Sequence, residues 1–218
     1  MPGEIKIDDG SGNYTILTNA GSLGSDKTIT IPNETATLAT TTATDLGGLV
    51  KLDSTTGTNV SDLTVDTNID NSLYSQYKVV FEDVKSTTDN VALRLQLLDS
   101  SSSTITGTFK RGGYYAQLDG TGNGIRTNQT DTDFATLETG NGNGINDFLN
   151  GYMYCRLSDG TNSYNAGIFK HIFHNYNNSK FIVENGWYLQ SSTSVSKVKI
   201  YMSSGNITGS LHIYGVKK

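Results

Sequence analysis

Between Val91 and Leu97 the chain reads VALRLQL, with an apolar side chain at every second position and Ala92, Arg94 and Gln96 between them. A period of two sets Val91, Leu93, Leu95 and Leu97 on one face of an extended strand, an arrangement a helix cannot reproduce. The pattern recurs. Tyr77–Phe81 alternates, Val198, Ile200 and Met202 share a face, and so do Leu211 and Ile213. Between such segments stand Lys85–Asn90, Asp159-Gly160, Asn177-Asn178, Asn185-Gly186 and Gly205-Asn206, residue types that accept turn geometry. Twenty-four glycines against two prolines fit many short strands joined by tight turns. No stretch of helix length carries a 3.6-residue apolar period.

About eight strands are expected from Tyr77 onward, with turn signals roughly every ten to fifteen residues, which suits a two-sheet sandwich of jelly-roll type. Residues 119–146 interrupt the pattern with GTGNG, TNQTDTD and TGNGNGIND, where Phe134, Leu137 and Ile145 are scattered anchors. They are expected to form a long loop, and long loops in compact domains often carry contacts. Receptor contact is therefore expected at Tyr114, Tyr115, Arg126, Asn128, Asp131, Asp133 and Asn143, which offer aromatic faces and planar polar partners from one end of the sandwich. Tyr152 and Tyr154 share a face of one strand and are read as packing or subunit-interface residues rather than as a binding shelf.

The first 62 residues read differently. Thr28–Thr40, TITIPNETATLAT, alternates through Ile29 and Ile31, breaks at Pro32-Asn33-Glu34 and resumes through Ala36 and Leu38. Burying each small aliphatic contributes roughly 1.5–3 kcal/mol at most, too little to order an isolated ribbon. The expected cover is the same segment from other copies of the chain. Upstream, IKI (Ile5–Ile7) and YTIL (Tyr14–Leu17) are short strand candidates around a turn-forming spacer. The polar stretch before Asp62 is taken as the boundary, giving an arm over residues 1–62 and a head over residues 63–218.

Chemistry is sparse. Asp131, Asp133 and Glu138 lie close enough in sequence to suggest the paired carboxylates of a glycosidase, but solvated acids are ordinary in a polar loop. His171 and His174 are three apart, so on a strand they face opposite ways and a shared metal is not expected. Cys155 alternates with Met153 and Leu157 and is expected in the core. No nucleophile elbow, phosphate loop or HExxH pattern occurs, and no cofactor or catalytic residue is expected. The net charge is −5 without a Lys or Arg cluster, so nucleic acid is not an expected partner. The longest apolar run falls well short of the roughly 20 residues of a membrane helix, so membrane insertion is not expected.

TITIPNETATLAT, followed by TTATDLGGLVKLDSTTG, resembles the "(T/I)TLP…TGTLAT" and "A(T/S)…GLVKL" segments in the shafts and head junctions of tailed-bacteriophage fibres and other virion surface proteins. GNITGSLHIYGVKK (Gly205–Lys218) is similar to the closing strands of β-sandwich heads in phage minor structural proteins, and YSQYKVVFEDVKSTTDNVALRLQL touches the same resemblance. It implies an all-β, homotrimeric, non-enzymatic protein on the virion surface, with an extended arm and a jelly-roll-like head. Within that class it implies a tail fibre or receptor-binding adhesin, anchored to other virion proteins through its arm and facing a host glycan or protein. The alternatives are a capsid decoration (cement) or head-fibre protein and, further off, a polysaccharide-degrading tailspike.

Overall fold

The structure, a computed structural model, describes Ile5–Asp8, Tyr14–Leu17 and residues 48–218 apart from 68, 121, 145, 162 and 163. Two compact units divide the chain, Met1–Leu46 and Gly47–Lys218. In the first, β1 (Ile5–Asp8) and β2 (Tyr14–Leu17) pair antiparallel, Ile5 opposite Leu17 and Asp8 opposite Tyr14, as their sequences lead one to expect. The arm residues Ile29, Ile31, Ala36 and Leu38 lie outside the described residues.

The second unit is all-β, with no helix among the described residues. Its strands are β3 (Leu49–Val60), β4 (Asp62–Asp66), β5 (Tyr74–Ser86), β6 (Val91–Leu98), β7 (Thr108–Gln117), β8 (Asn123–Thr132), β9 (Ala135–Asn141), β10 (Phe148–Arg156), β11 (Tyr164–His174), β12 (Lys180–Gln190), β13 (Lys197–Met202) and β14 (Ile207–Lys217). They form an eight-stranded sheet in the order β3-β14-β5-β10-β11-β12-β7-β8 and a four-stranded sheet in the order β4-β13-β6-β9. Every pairing is antiparallel.

One apolar core serves both sheets. The small sheet contributes Leu63, Val65, Leu93, Leu95, Leu97, Val198 and Ile200, and the large sheet answers with Val79, Phe81, Met153, Phe169, Leu211 and Ile213, all buried. The alternation read at Val91–Leu97 is thus the inward face of β6. Trp187 lies inside against Phe109, ring centroids 5.9 Å apart, and its indole N–H points at the Met153 sulfur. Cys155 is buried as expected, and burial pushes its thiol up to about 12.

Two sequence expectations need correction. Asp53–Val60 of the stretch taken as the arm–head boundary, DSTTGTNVS, belong to β3, an edge strand bonded to β14, so the compact unit that holds the head begins at Gly47 rather than near Leu63. Register shifts opposite Ile207/Gly209 and Ile213/Tyr214 break its alternation, which is why no period of two is visible. Residues 119–146, expected as one long loop, contain β8 and β9. As an edge strand held by β7, β8 turns only one face inward and needs few apolar residues. Consecutive buried residues Ala135–Glu138 remove the alternation from β9.

Candidate functional site

Most of the residues expected to meet a receptor lie at the surface or half-buried and hold hydrogen bonds within the head. Asp131 accepts from Arg111 Nε at 3.0 Å and from the Thr136 amide at 2.9 Å. Asp133 sits in the turn between β8 and β9 with φ of 63° and accepts from the Gly107 amide. Arg126 donates to Glu138 Oε1 at 2.8 Å and lies 5.3 Å from the centre of the half-buried Tyr115 ring. Asn143 donates its amide to Asp89 and its side-chain nitrogen to the Thr87 carbonyl. The Asn128 side chain lies outside the described residues. Of the set, Tyr114 presents a large exposed ring.

Glu138 is the centre of a network that sequence reading did not assemble. Its carboxylate is fully buried, with His171 Nε2 2.9 Å from Oε2, while Oε1 accepts from Arg126 and from the Thr139 amide. His171 stacks on Phe169 at 5.4 Å and tilts against Phe173. Burial alone would push the Glu138 carboxyl up; the contacts with His171 and then Arg126 outweigh it and hold the group below its ordinary value. Because Glu138 lies on β9 of the small sheet while His171 and Arg126 lie on β11 and β8 of the large one, the network ties the sheets together. The acids that suggested a glycosidase therefore have structural partners. His174, on the opposite face from His171, meets Asp147 at 3.1 Å. Among the described residues no group of three His, Cys, Asp or Glu is gathered that could hold a metal.

The surface feature that stands out is the outward face of β10, β11, β12, β7 and β8. Cross-strand partners share a face, so the register gives one continuous row: Ile125, Tyr114, Glu184, Lys170, Tyr152 and Val80. Ile172 and Ile182 pair beside it on one side, and Tyr154 and Ile168 pair on the other. These are central strands of the sheet, yet Ile168 is 53% exposed, Ile172 39% and Ile182 44%, and on the edge strand Ile125 reaches 79%. Charge in the middle of the face is paired: Lys170 Nζ lies 2.7 Å from Glu184 Oε2, and the Tyr114 hydroxyl donates to the same oxygen at 3.2 Å. The Lys170 ammonium is accordingly raised, and the Glu184 carboxylate lowered, chiefly by their mutual hydrogen bond. The Lys78 ammonium lies over both Tyr152 and Tyr154 at 5.3 and 5.6 Å.

A groove of about 620 Å³ runs into this face, walled by Val80, Tyr152, Lys170, Ile172 and Ile182, with Glu82, Asp83 and Asn150 at one end. Its floor is Gly151. A Cβ there would stand 2.5 Å from the His171 Cβ and 2.7 Å from the Phe81 ring, so only glycine lets the strands close at that point. No family model, no curated protein and no solved structure matches the chain.

Proposed function

We propose that this chain is a non-enzymatic structural protein on the surface of a tailed-phage virion, a homotrimeric tail fibre or receptor-binding protein whose head makes contacts rather than chemistry. The observation that carries the reading is the division of labour among side chains. The buried acids Glu138 and Asp147 and the partly buried Asp131 each hold a structural partner, while the most distinctive surface is a broad apolar and aromatic sheet face suited to contact.

Strand order supports a jelly roll. Leaving aside the β7–β8 and β11–β12 segments, the chain alternates between the sheets, β3 large, β4 small, β5 large, β6 small, β9 small, β10 large, β13 small, β14 large, with one repeat at β6 and β9. The resulting orders β3-β14-β5-β10 and β4-β13-β6-β9 are those of two interlocked Greek keys. On this reading the two extra segments widen one sheet into the apolar wing. The phage assignment draws on the resemblance at Thr28–Gly57 and Gly205–Lys218.

An antibody against the protein, applied with gold to intact particles of the phage that encodes it, tests the reading. Label at the tail supports the adhesin. Label on the capsid moves the protein to the decoration role, and unlabelled particles contradict a virion location. Release of reducing ends from host polysaccharide by the purified chain would contradict the non-enzymatic part.

A further inference from the structure

We propose that the outward face of β10, β11, β12, β7 and β8 is the surface on which a second copy of this chain docks; the inference rests on the homo-oligomeric reading above and names the surface that reading lacks. A solvated face of an antiparallel sheet ordinarily alternates with the core in polarity. On the small sheet the outward residues do so, with Asp62, Thr64, Asp66, Lys197, Lys199 and Gln96. Strands β10 to β12 do not: behind buried Met153, Phe169 and Val183, their outward positions hold Tyr152, Ile168 and Ile182. Strands apolar on both sides are the mark of a sheet covered on both sides.

Size fits a protein partner. Five adjacent strands at about 4.8 Å spacing, each presenting roughly 25 Å of length, give a flat footprint of about 600 Å², and side-chain relief raises the accessible area towards the roughly 800 Å² each partner brings to a standard interface. Composition fits as well. The Lys170–Glu184 pair occupies the centre, flanked by Ile168, Ile172 and Ile182 and by tyrosines, and because those charges are already paired the cost of removing them from water is limited. A glycan would need free hydrogen-bonding groups where this face has Ile168, Ile172 and Ile182.

Charge at the margin has both signs. Lys78, Lys110, Arg156 and Lys180 stand around the face and Glu82 and Asp83 at the end of its groove, so a neighbouring copy can meet it with opposite charges. Three copies in a closed ring meet through unlike surfaces.

The test uses the full chain and the fact that its native thiol, Cys155, is buried. Ile172→Cys places a thiol in the centre of the face, and Ser54→Cys places one on the exposed, polar β3 of the same sheet. Each variant is sized by light scattering and then labelled with a maleimide under native conditions. A multimer in which Ile172→Cys reacts on the order of tenfold slower than Ser54→Cys, with the rates converging on dilution to single chains, supports the proposal. A multimer in which both react alike overturns the docking surface and leaves the homo-oligomer standing. A single-chain mass at every concentration overturns both.

Discussion

On the small sheet the outward rows read Asp66–Lys197, Thr64–Lys199–Gln96 and Asp62–Tyr201–Arg94, while across the large sheet one row reads Ile125–Tyr114–Glu184–Lys170–Tyr152 with Ile168, Ile172 and Ile182 at its flanks. Both faces belong to antiparallel sheets over one core. The first has an ion pair between Lys197 and Asp66 at 3.5 Å, the Thr64 hydroxyl donating to Asp62 at 2.9 Å, and the Lys199 ammonium over the Tyr201 ring. The second leaves β-branched aliphatics in water. The difference teaches that the fold needs only the inward faces to be apolar, so that the outward face of β10 to β12 answers to something other than folding. Inside, the same wing differs again: its edge is tied to β9 by Arg126, Glu138 and His171, where the other half of the sandwich is joined by Leu, Val and Phe.

Removing the Glu138 carboxylate tests the inner side of this contrast and should have the largest effect. Glu138→Ala leaves Arg126 and His171 without their shared partner, and breaking a buried charge pair costs about 3–5 kcal/mol, read from urea unfolding. Two adjacent positions on β11 separate inner from outer. Phe169→Ala should lower unfolding stability by about 3–5 kcal/mol through loss of a core ring. Ile168→Ala, pointing the other way, should leave a single-chain head within about 0.5 kcal/mol. If the Ile168 change unfolded the isolated chain as strongly, the outward face would be part of the fold rather than a contact.

A charged pair of substitutions, Ile168→Lys with Ile172→Glu, should weaken self-association by about 2–4 kcal/mol in sedimentation while leaving the circular dichroism of the head unchanged. Acid provides a further distinction. The folded-state value of Glu138 is lowered, so its stabilising contribution is complete above its ordinary value of 4.5 and is lost as pH falls through the depressed folded value. Thermal unfolding followed from neutral pH downward should therefore show a decline below about pH 4.5 that is shallower in Glu138→Gln. The smallest effect belongs to the polar face: Lys199→Met should change stability by under about 0.5 kcal/mol and leave association as it was.

Much of the sandwich could be read from residues because its inner strands alternate. Val91–Leu97, Val198–Met202 and Leu211–Ile213 declared their buried faces, and Met153, Cys155 and Leu157 declared theirs. What stayed hidden had a physical cause in each case. Bulges scrambled the period of β3, an edge position excused β8 from apolar content, and burial on both sides removed the alternation from β9. The Glu138–His171 contact spans 33 residues of sequence and depends on which strand edge faces which, information no local pattern carries. Asp131 and Asp133 looked like loop acids because β8, which carries Asp131 alongside β7 and its Arg111, was not seen. The shared face of Tyr152 and Tyr154 was legible, since a period of two suffices to find it; that Ile168, Ile172 and Ile182 extend it required the strand order.

An electron cryomicroscopy reconstruction of the assembled full-length chain tests the central claim most directly. The account predicts a neighbouring copy in van der Waals contact with Ile168, Ile172 and Tyr152, and solvent over Thr64 and Lys199. Copies meeting through the small sheet, with the face of β10 to β12 open to water, would contradict it.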